Sequence, residues 1–146
     1  LSVIDIGTGS GCIALTLKLE QPELEVFASD IDQQVLEVAR ENAACYKLDG
    51  KINFLESNLL EKLDSKVDVI VANLPYIPTK NWSKLPKEIK DFEPRVALDS
   101  GTAKDTLYKT LFAQAKTKLK KGGFILYEID GDIFRKDLPT LVTEGY

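Results

Sequence analysis

Ser2-Val3-Ile4-Asp5-Ile6-Gly7-Thr8-Gly9-Ser10-Gly11 is the stretch on which the fold turns. A short apolar strand carrying one carboxylate runs into three alternating glycines, and Cys12-Ile13-Ala14-Leu15 then opens a helix. A sharp strand-to-helix turn needs residues that tolerate positive φ and let a ligand approach the backbone. The helix start behind it offers free N–H groups and the positive end of a dipole. The pattern therefore predicts a nucleotide or nucleoside cradle. It is not the dinucleotide fingerprint, whose third glycine would stand where Cys12 is.

Working outward, strands and helices alternate. The spacing predicts a helix over Gly11–Leu19, ended by Gln21-Pro22, and a second strand over Leu24–Ser29. Asp32 is an N-cap for a helix to about Leu48, with Val35, Val38, Ala39, Ala43 and Tyr46 on one face. Ile52–Glu56 is a third strand. Val67–Ala72, apolar but for Asp68, is a fourth. From Asn73 to about Lys104 the chain carries Pro75, Pro78, Pro86 and Pro94, so a loop with at most short helices is expected. Thr106–Lys120 is a helix capped by Gly122-Gly123, Phe124–Ile129 a fifth strand, and a last helix lies within Ile133–Glu144. Such alternation means parallel strands, right-handed crossovers and a sheet covered on both faces. The 146 residues match the roughly 150 of one domain, so a single α/β domain over 1–146 is expected.

Composition removes several chemistries. The chain has no His, which excludes Ser-His-Asp and Cys-His catalysis and His-ligated metal centres. No metal is expected. The net charge of −4 supplies no global drive toward nucleic acid. No apolar run approaches the roughly 20 residues of a membrane-crossing helix. Cys12 and Cys45 form no C-x-x-C, which suits a reduced, cytoplasmic setting, and Cys12 is expected to act as a small buried hydrophobe. Without Met and opening in mid-strand, the sequence reads as a piece of a longer protein.

Further residues sharpen the cradle. Asp30, at the end of the second strand, can accept both hydroxyls of a ribose. Asn58 follows the third strand, where a plain turn residue is one reading. The fourth strand ends in Asn73-Leu74-Pro75-Tyr76. A planar nitrogen has a delocalised lone pair and is a poor nucleophile. Two acceptors aligned on its N–H bonds can draw that lone pair out of the plane. The Asn73 side-chain oxygen can be one of them, and Pro75 forces the residue before it into an extended path. Tyr76 offers a flat face to such a group.

These motifs resemble those of the S-adenosylmethionine-dependent methyltransferases. Asp5-Ile6-Gly7-Thr8-Gly9-Ser10-Gly11 is similar to their first motif, and Asn73-Leu74-Pro75-Tyr76 to the N-P-P-Y of enzymes that methylate planar nitrogens. Phe92-Glu93-Pro94-Arg95-Val96-Ala97-Leu98 and Glu144-Gly145-Tyr146 narrow the resemblance to the protein-(glutamine-N5) methyltransferases of peptide chain release factors. The resemblance implies a Rossmann-like core of strand order 3-2-1-4-5, trimmed at both ends, without the family's helical amino-terminal domain and its carboxyl-terminal hairpin. It implies that S-adenosylmethionine, leaving as S-adenosylhomocysteine, is held by Asp5, Gly7, Thr8, Gly9, Gly11, Asp30, Ile31, Asn58, Leu59 and Asn73. Relatives usually carry Asp where Asn58 stands. It implies that Asn73, Leu74, Pro75 and Tyr76 are catalytic, with the Leu74 carbonyl as the second acceptor. The same four residues and Glu93 would meet the Gly-Gly-Gln loop of a release factor.

Glu93 can equally anchor its loop, Arg95 can pair with a nearby acid, and Phe92 is expected to be packed. Trp82 lies among Lys80, Lys84 and Lys87 as a half-buried ring in a solvated lysine run. Lys116, Lys118, Lys120 and Lys121 suit a helix carboxyl terminus rather than nucleic acid. Two alternatives use the same residues: methylation of adenine N6 in DNA or RNA, and a cofactor-binding module inactive as a fragment. The Phe92–Leu98 segment and the lack of a basic recognition module stand against the first.

Overall fold

The computed structural model describes residues 1–101 and 106–128. Five strands, β1 (Ser2–Ile6), β2 (Glu25–Asp30), β3 (Ile52–Glu56), β4 (Val67–Ala72) and β5 (Leu119–Tyr127), form one sheet of order β3-β2-β1-β4-β5. Every pairing is parallel. The expected Rossmann-like order is therefore present. β1 is buried along its whole length because it has a neighbour on each side and layers on each face. The order reverses between β1 and β4, the place where sheets of this type bind ligands beyond their carboxyl ends.

Helices α1 (Cys12–Glu20) and α2 (Gln33–Cys45) follow successive strands in one direction, so right-handed crossovers put both on one face. There Ala14, Leu15, Val26, Ala28, Ala43, Leu48 and Ile52 form a continuous core. The chain moves the other way from β4 to β5, which sends α5 (Thr106–Lys118) to the opposite face. Tyr108, Leu111, Phe112 and Ala115 are buried there, and the Tyr127 ring of β5 packs tilted against Tyr108 and edge-to-face against Phe112, with ring centres 5.9 and 5.4 Å apart.

Several expectations are corrected. Helix α2 buries Leu36, Ala39 and Ala43, while Val38 and Tyr46 are 47% and 59% exposed. Leu36 and Ala43 are one side of Ala39 in the helical repeat and Val38 and Tyr46 the other, so the apolar stripe is rotated from the expected one. Cys12 is exposed, as the first residue of α1. Gly122-Gly123 is no helix cap: α5 stops at Lys118 and β5 already begins at Leu119. The register then jumps from Val67–Leu119 to Val69–Phe124, so β5 bulges between them. A Cβ at Gly123 would lie 2.7 Å from the Asp68 carbonyl oxygen, and this close approach explains the glycine. The sheet is not covered everywhere, since Phe124 and Leu126 are each 55% exposed. Ile129, the helix expected within Ile133–Glu144, and Glu144-Gly145-Tyr146 lie outside the described residues.

The described residues fall into two compact units, 1–73 with 106–127, and 74–101 with Glu128. The second contains a 3-10 helix (Thr79–Lys84), α3 (Lys87–Phe92) and α4 (Arg95–Leu98), the short helices expected of a proline-rich loop. Its two ends are tied by a parallel bridge between Ile77 and Asp99.

Candidate functional site

At the carboxyl end of β1 the glycine turn is held by side chains from two strands and one helix. Gly7, Gly9 and Gly11 have φ of 66, 57 and 87°, the left-handed region that makes glycine necessary. The buried Asp5 carboxylate accepts from the Thr8 hydroxyl at 2.6 Å and from the Ala14 N–H at 3.2 Å, so it pins the turn to the first turn of α1. Burial raises its pKa to about 6, against the lowering pull of those two bonds. The Thr8 N–H donates to the Ser29 carbonyl, and Asn42 of α2 donates to the Ser10 carbonyl. A Cβ at Gly11 would meet Leu15 Cδ1 at 2.5 Å and Ala39 Cβ at 3.3 Å, so this glycine lets α1 and α2 close on each other. At Gly9 a Cβ would meet nothing within 4 Å.

Asp30 lies beside this opening. One of its carboxylate oxygens accepts the Gly9 N–H at 3.1 Å and the other the Asp32 N–H at 3.1 Å. A carboxylate has about four acceptor sites, so room remains for two hydroxyls. Asp32 caps α2 by accepting from the Gln34 N–H, as its sequence position implies. Ile31, between them, is 68% exposed. Beyond β3, the Ser57 N–H donates to the Asp30 carbonyl, Asn58 Nδ2 donates to Glu61 Oε1 at 2.9 Å, and Leu59 is buried with φ of 55°. Open space over Gly9, spare lone pairs on Asp30, an exposed apolar side chain at Ile31 and the amide of Asn58 are the donor set a nucleoside needs. The residues present fit such a group.

Asn73 directly follows β4, paired alongside β1, and is exposed, with no hydrogen bond to its side-chain amide among the described residues. Leu74 to Tyr76 open the second unit. Within that unit the Tyr76 hydroxyl donates to Glu128 Oε1 at 3.1 Å. Asp99 is its hub: one carboxylate oxygen accepts from the Thr79 hydroxyl at 2.7 Å and the Gly101 N–H at 2.9 Å, the other from Arg95 Nε at 2.9 Å. The Thr79 bond leads the causes that hold its pKa below the usual carboxylate value. The Arg95 guanidinium also sits 5.0 Å from the centre of the Trp82 ring. Sequence reasoning had Arg95 pairing with a nearby acid but missed Asp99 as the anchor of the segment; its spacing of four from Arg95 was the available signal. Glu93 is exposed, and Phe92 is 84% exposed rather than packed. Of the lysine run, Lys118 donates to the Leu63 carbonyl and Lys120 bridges to Asp68 at 2.8 Å.

The methyltransferase small domain model matches residues 1–87, the greater part of the chain. The chain belongs to that family. Within it, the chain is 42% identical over 148 aligned residues to a release factor glutamine methyltransferase of Leptospira interrogans, covering 99% of this chain and 51% of the relative. It is 38% identical over 136 residues to the protein of the same name from Chlorobaculum tepidum, covering 90% and 46%. The chain thus spans about half the length of the curated relatives it matches. A solved ribosomal protein L11 methylase from Lactobacillus delbrueckii subsp. bulgaricus superposes with a TM-score of 0.67 at 27% identity, over 98% of this chain and 58% of that one. Among the described residues no helix is long and apolar enough to cross a membrane.

Proposed function

We propose that residues 1–146 are the catalytic core of a cytoplasmic methyltransferase that transfers a methyl group from S-adenosylmethionine to the side-chain amide nitrogen of the glutamine in the Gly-Gly-Gln loop of a peptide chain release factor. The observation that carries the reading is Asn73: an exposed amide, unbonded among the described residues, at the end of β4, beside the strand whose glycine turn fits a nucleoside. The names of the relatives support glutamine as the acceptor.

In this reading Gly7, Thr8, Gly9 and Gly11 shape the cradle, Asp30 takes the ribose hydroxyls, and Ile31, Asn58 and Leu59 border the purine. Asp5 holds Thr8 and α1 in place. S-adenosylmethionine, when bound, supplies an electrophilic methyl on a sulfonium. The chain's own residues act on the nucleophile. Asn73 Oδ1 and the Leu74 carbonyl oxygen accept the two amide N–H bonds, which turns the nitrogen lone pair toward the methyl group. Because the second acceptor is backbone, Leu in place of Pro at this position does not remove it. Tyr76 lies against the flat amide, and Glu93 meets the substrate chain. Attack on the methyl makes the nitrogen acidic, so no base has to act first, which suits a chain without His. Positioning and electrostatics supply the acceleration.

Transfer of labelled methyl to a release factor, but not to its Gly-Gly-Ala variant, is the expected result. Label appearing in added DNA or RNA instead would transfer the chemistry to adenine and overturn the glutamine assignment.

A further inference from the structure

Beyond β3 the turn that carries Asn58 is fixed from several directions. The Lys62 N–H donates to the buried Ser57 hydroxyl at 3.0 Å, and the Ser29 hydroxyl donates to the Leu59 carbonyl at 3.3 Å. The Leu60 N–H donates to Gln114 Oε1 of α5 at 2.7 Å. These bonds keep Leu59 in a left-handed conformation that a branched side chain adopts at a cost. Asn58 is the exposed residue of this rigid turn. Its Nδ2 donates to Glu61 Oε1 at 2.9 Å, and the Glu61 N–H donates back to the Asn58 carbonyl at 3.3 Å.

An ionised carboxylate can only accept hydrogen bonds. Facing Glu61, the Asn58 amide therefore gives its NH2 to that carboxylate, which leaves Oδ1 as its remaining polar atom, an acceptor. An asparagine free to flip would offer a donor as readily as an acceptor. We propose that Glu61 is a positioning residue that locks Asn58 as an acceptor, so that this turn selects a purine bearing an exocyclic amino group over one bearing an oxo group. The proposal rests on the adenosine-binding reading above and adds to it the residue that sets base specificity. It also explains how a neutral amide serves where a carboxylate would be an acceptor unaided: the charge sits at Glu61, one hydrogen bond away.

The test is equilibrium binding, by calorimetry, of S-adenosylhomocysteine and of S-inosylhomocysteine, which differ in the 6-amino and 6-oxo groups. The unaltered chain is expected to favour the amino ligand by about tenfold, the effect of one hydrogen bond against an unpaired acceptor. Glu61→Ala is expected to bring the ratio to within about threefold of unity, chiefly by improving the oxo ligand as Asn58 becomes free to flip. Adding Asn58→Asp to Glu61→Ala should restore the preference, because a carboxylate has only one polarity to offer. Equal loss of both ligands in Glu61→Ala, or an unchanged ratio, would overturn the positioning role and leave nucleoside binding standing. Failure of the unaltered chain to bind either ligand would overturn both.

Discussion

The glycine turn and the segment from Leu74 to Gly101 are organised in opposite ways. Around the turn, Asp5, Thr8, Ser29 and Ser57 are all buried polar residues, and each is bonded to a different strand, turn or helix. In the segment, the three short helices bury no residue, and one carboxylate, Asp99, gathers the side-chain bonds that close the loop. The two key carboxylates respond oppositely to their settings. Asp5 is desolvated and its pKa is raised; Asp99 is held by hydrogen bonds from Thr79, Gly101 and Arg95, and its pKa is lowered. A site that holds the same small ligand every turnover gains from being rigid beforehand, because ordering is then not charged against binding. If the segment meets a protein chain, as the proposed function has it, it gains less from rigidity, and the 84%-exposed Phe92 is a feature it could use there.

The largest expected effect separates binding from turnover. Asn73→Ala should lower kcat by about 10²–10³-fold, the usual consequence of removing one preorganised polar group from a transition state. Calorimetry should find its affinity for S-adenosylhomocysteine within about threefold of the unaltered chain. A variant that kept most of its kcat would end the two-acceptor mechanism.

Next come the glycines. Gly11→Ala adds a clash with Leu15 and Ala39 to a left-handed strain, and should cost about 2–4 kcal/mol of stability in urea titration. Gly9→Ala carries the strain without the clash and should cost about 1 kcal/mol of stability. Its larger effect should fall on ligand affinity, since its methyl enters the open side of the cradle. Equal stability losses at the two positions would mean that the turn is packed alike on both sides.

A smaller effect is a pH dependence. Asp5 has its folded pKa raised to about 6 from 3.8, so the stability tied to its protonated form is full below about pH 4 and is lost as pH rises through 6. The loss is at most about 3 kcal/mol. Asp5→Asn should remove this slope between pH 4 and 7 in urea midpoints, with the rest of the profile kept.

The difference between the regions also governs what could be read from sequence. The alternating glycines, Asp32 as a cap and the ends of β3 and β4 were legible, because each follows from local periodicity or from one residue's conformational need; the strand order was legible only through the family resemblance. The stripe of α2 was not, since Val35, Leu36, Val38 and Ala39 satisfy two adjacent faces and only packing chooses between them. Gly122-Gly123 carries a helix-end signature, yet Asp68 in another strand determines its role. The site residues were legible as residue types, but their support was not. Glu61 stands three residues after Asn58, a spacing that could have flagged the pair, whereas Gln114 beneath Leu60 is a contact that no spacing rule singles out.

The smallest expected effect tests whether the segment is held as locally as its bonds imply. Arg95 joins Trp82 to Asp99, and Trp82 is the only tryptophan in the chain. Arg95→Ala removes one exposed ion pair and one cation–π contact, worth about 0.5–1 kcal/mol each at most. The Trp82 emission should shift to the red and acrylamide quenching should rise, while the urea midpoint of the sheet, followed by circular dichroism, stays within about 0.5 kcal/mol. Acid should act on the same reporter in the same direction. Because the folded pKa of Asp99 is lowered, the stability it lends the loop is present above the ordinary carboxylate value near 4 and is lost as pH falls through the folded one. Quenching of Trp82 should therefore rise as the pH falls below the ordinary carboxylate value in the unaltered chain, and be raised at every pH in Asp99→Asn. A sheet midpoint that moved together with Trp82 would show that the segment and the cradle share one cooperative unit, and the contrast between them would then lie in composition alone.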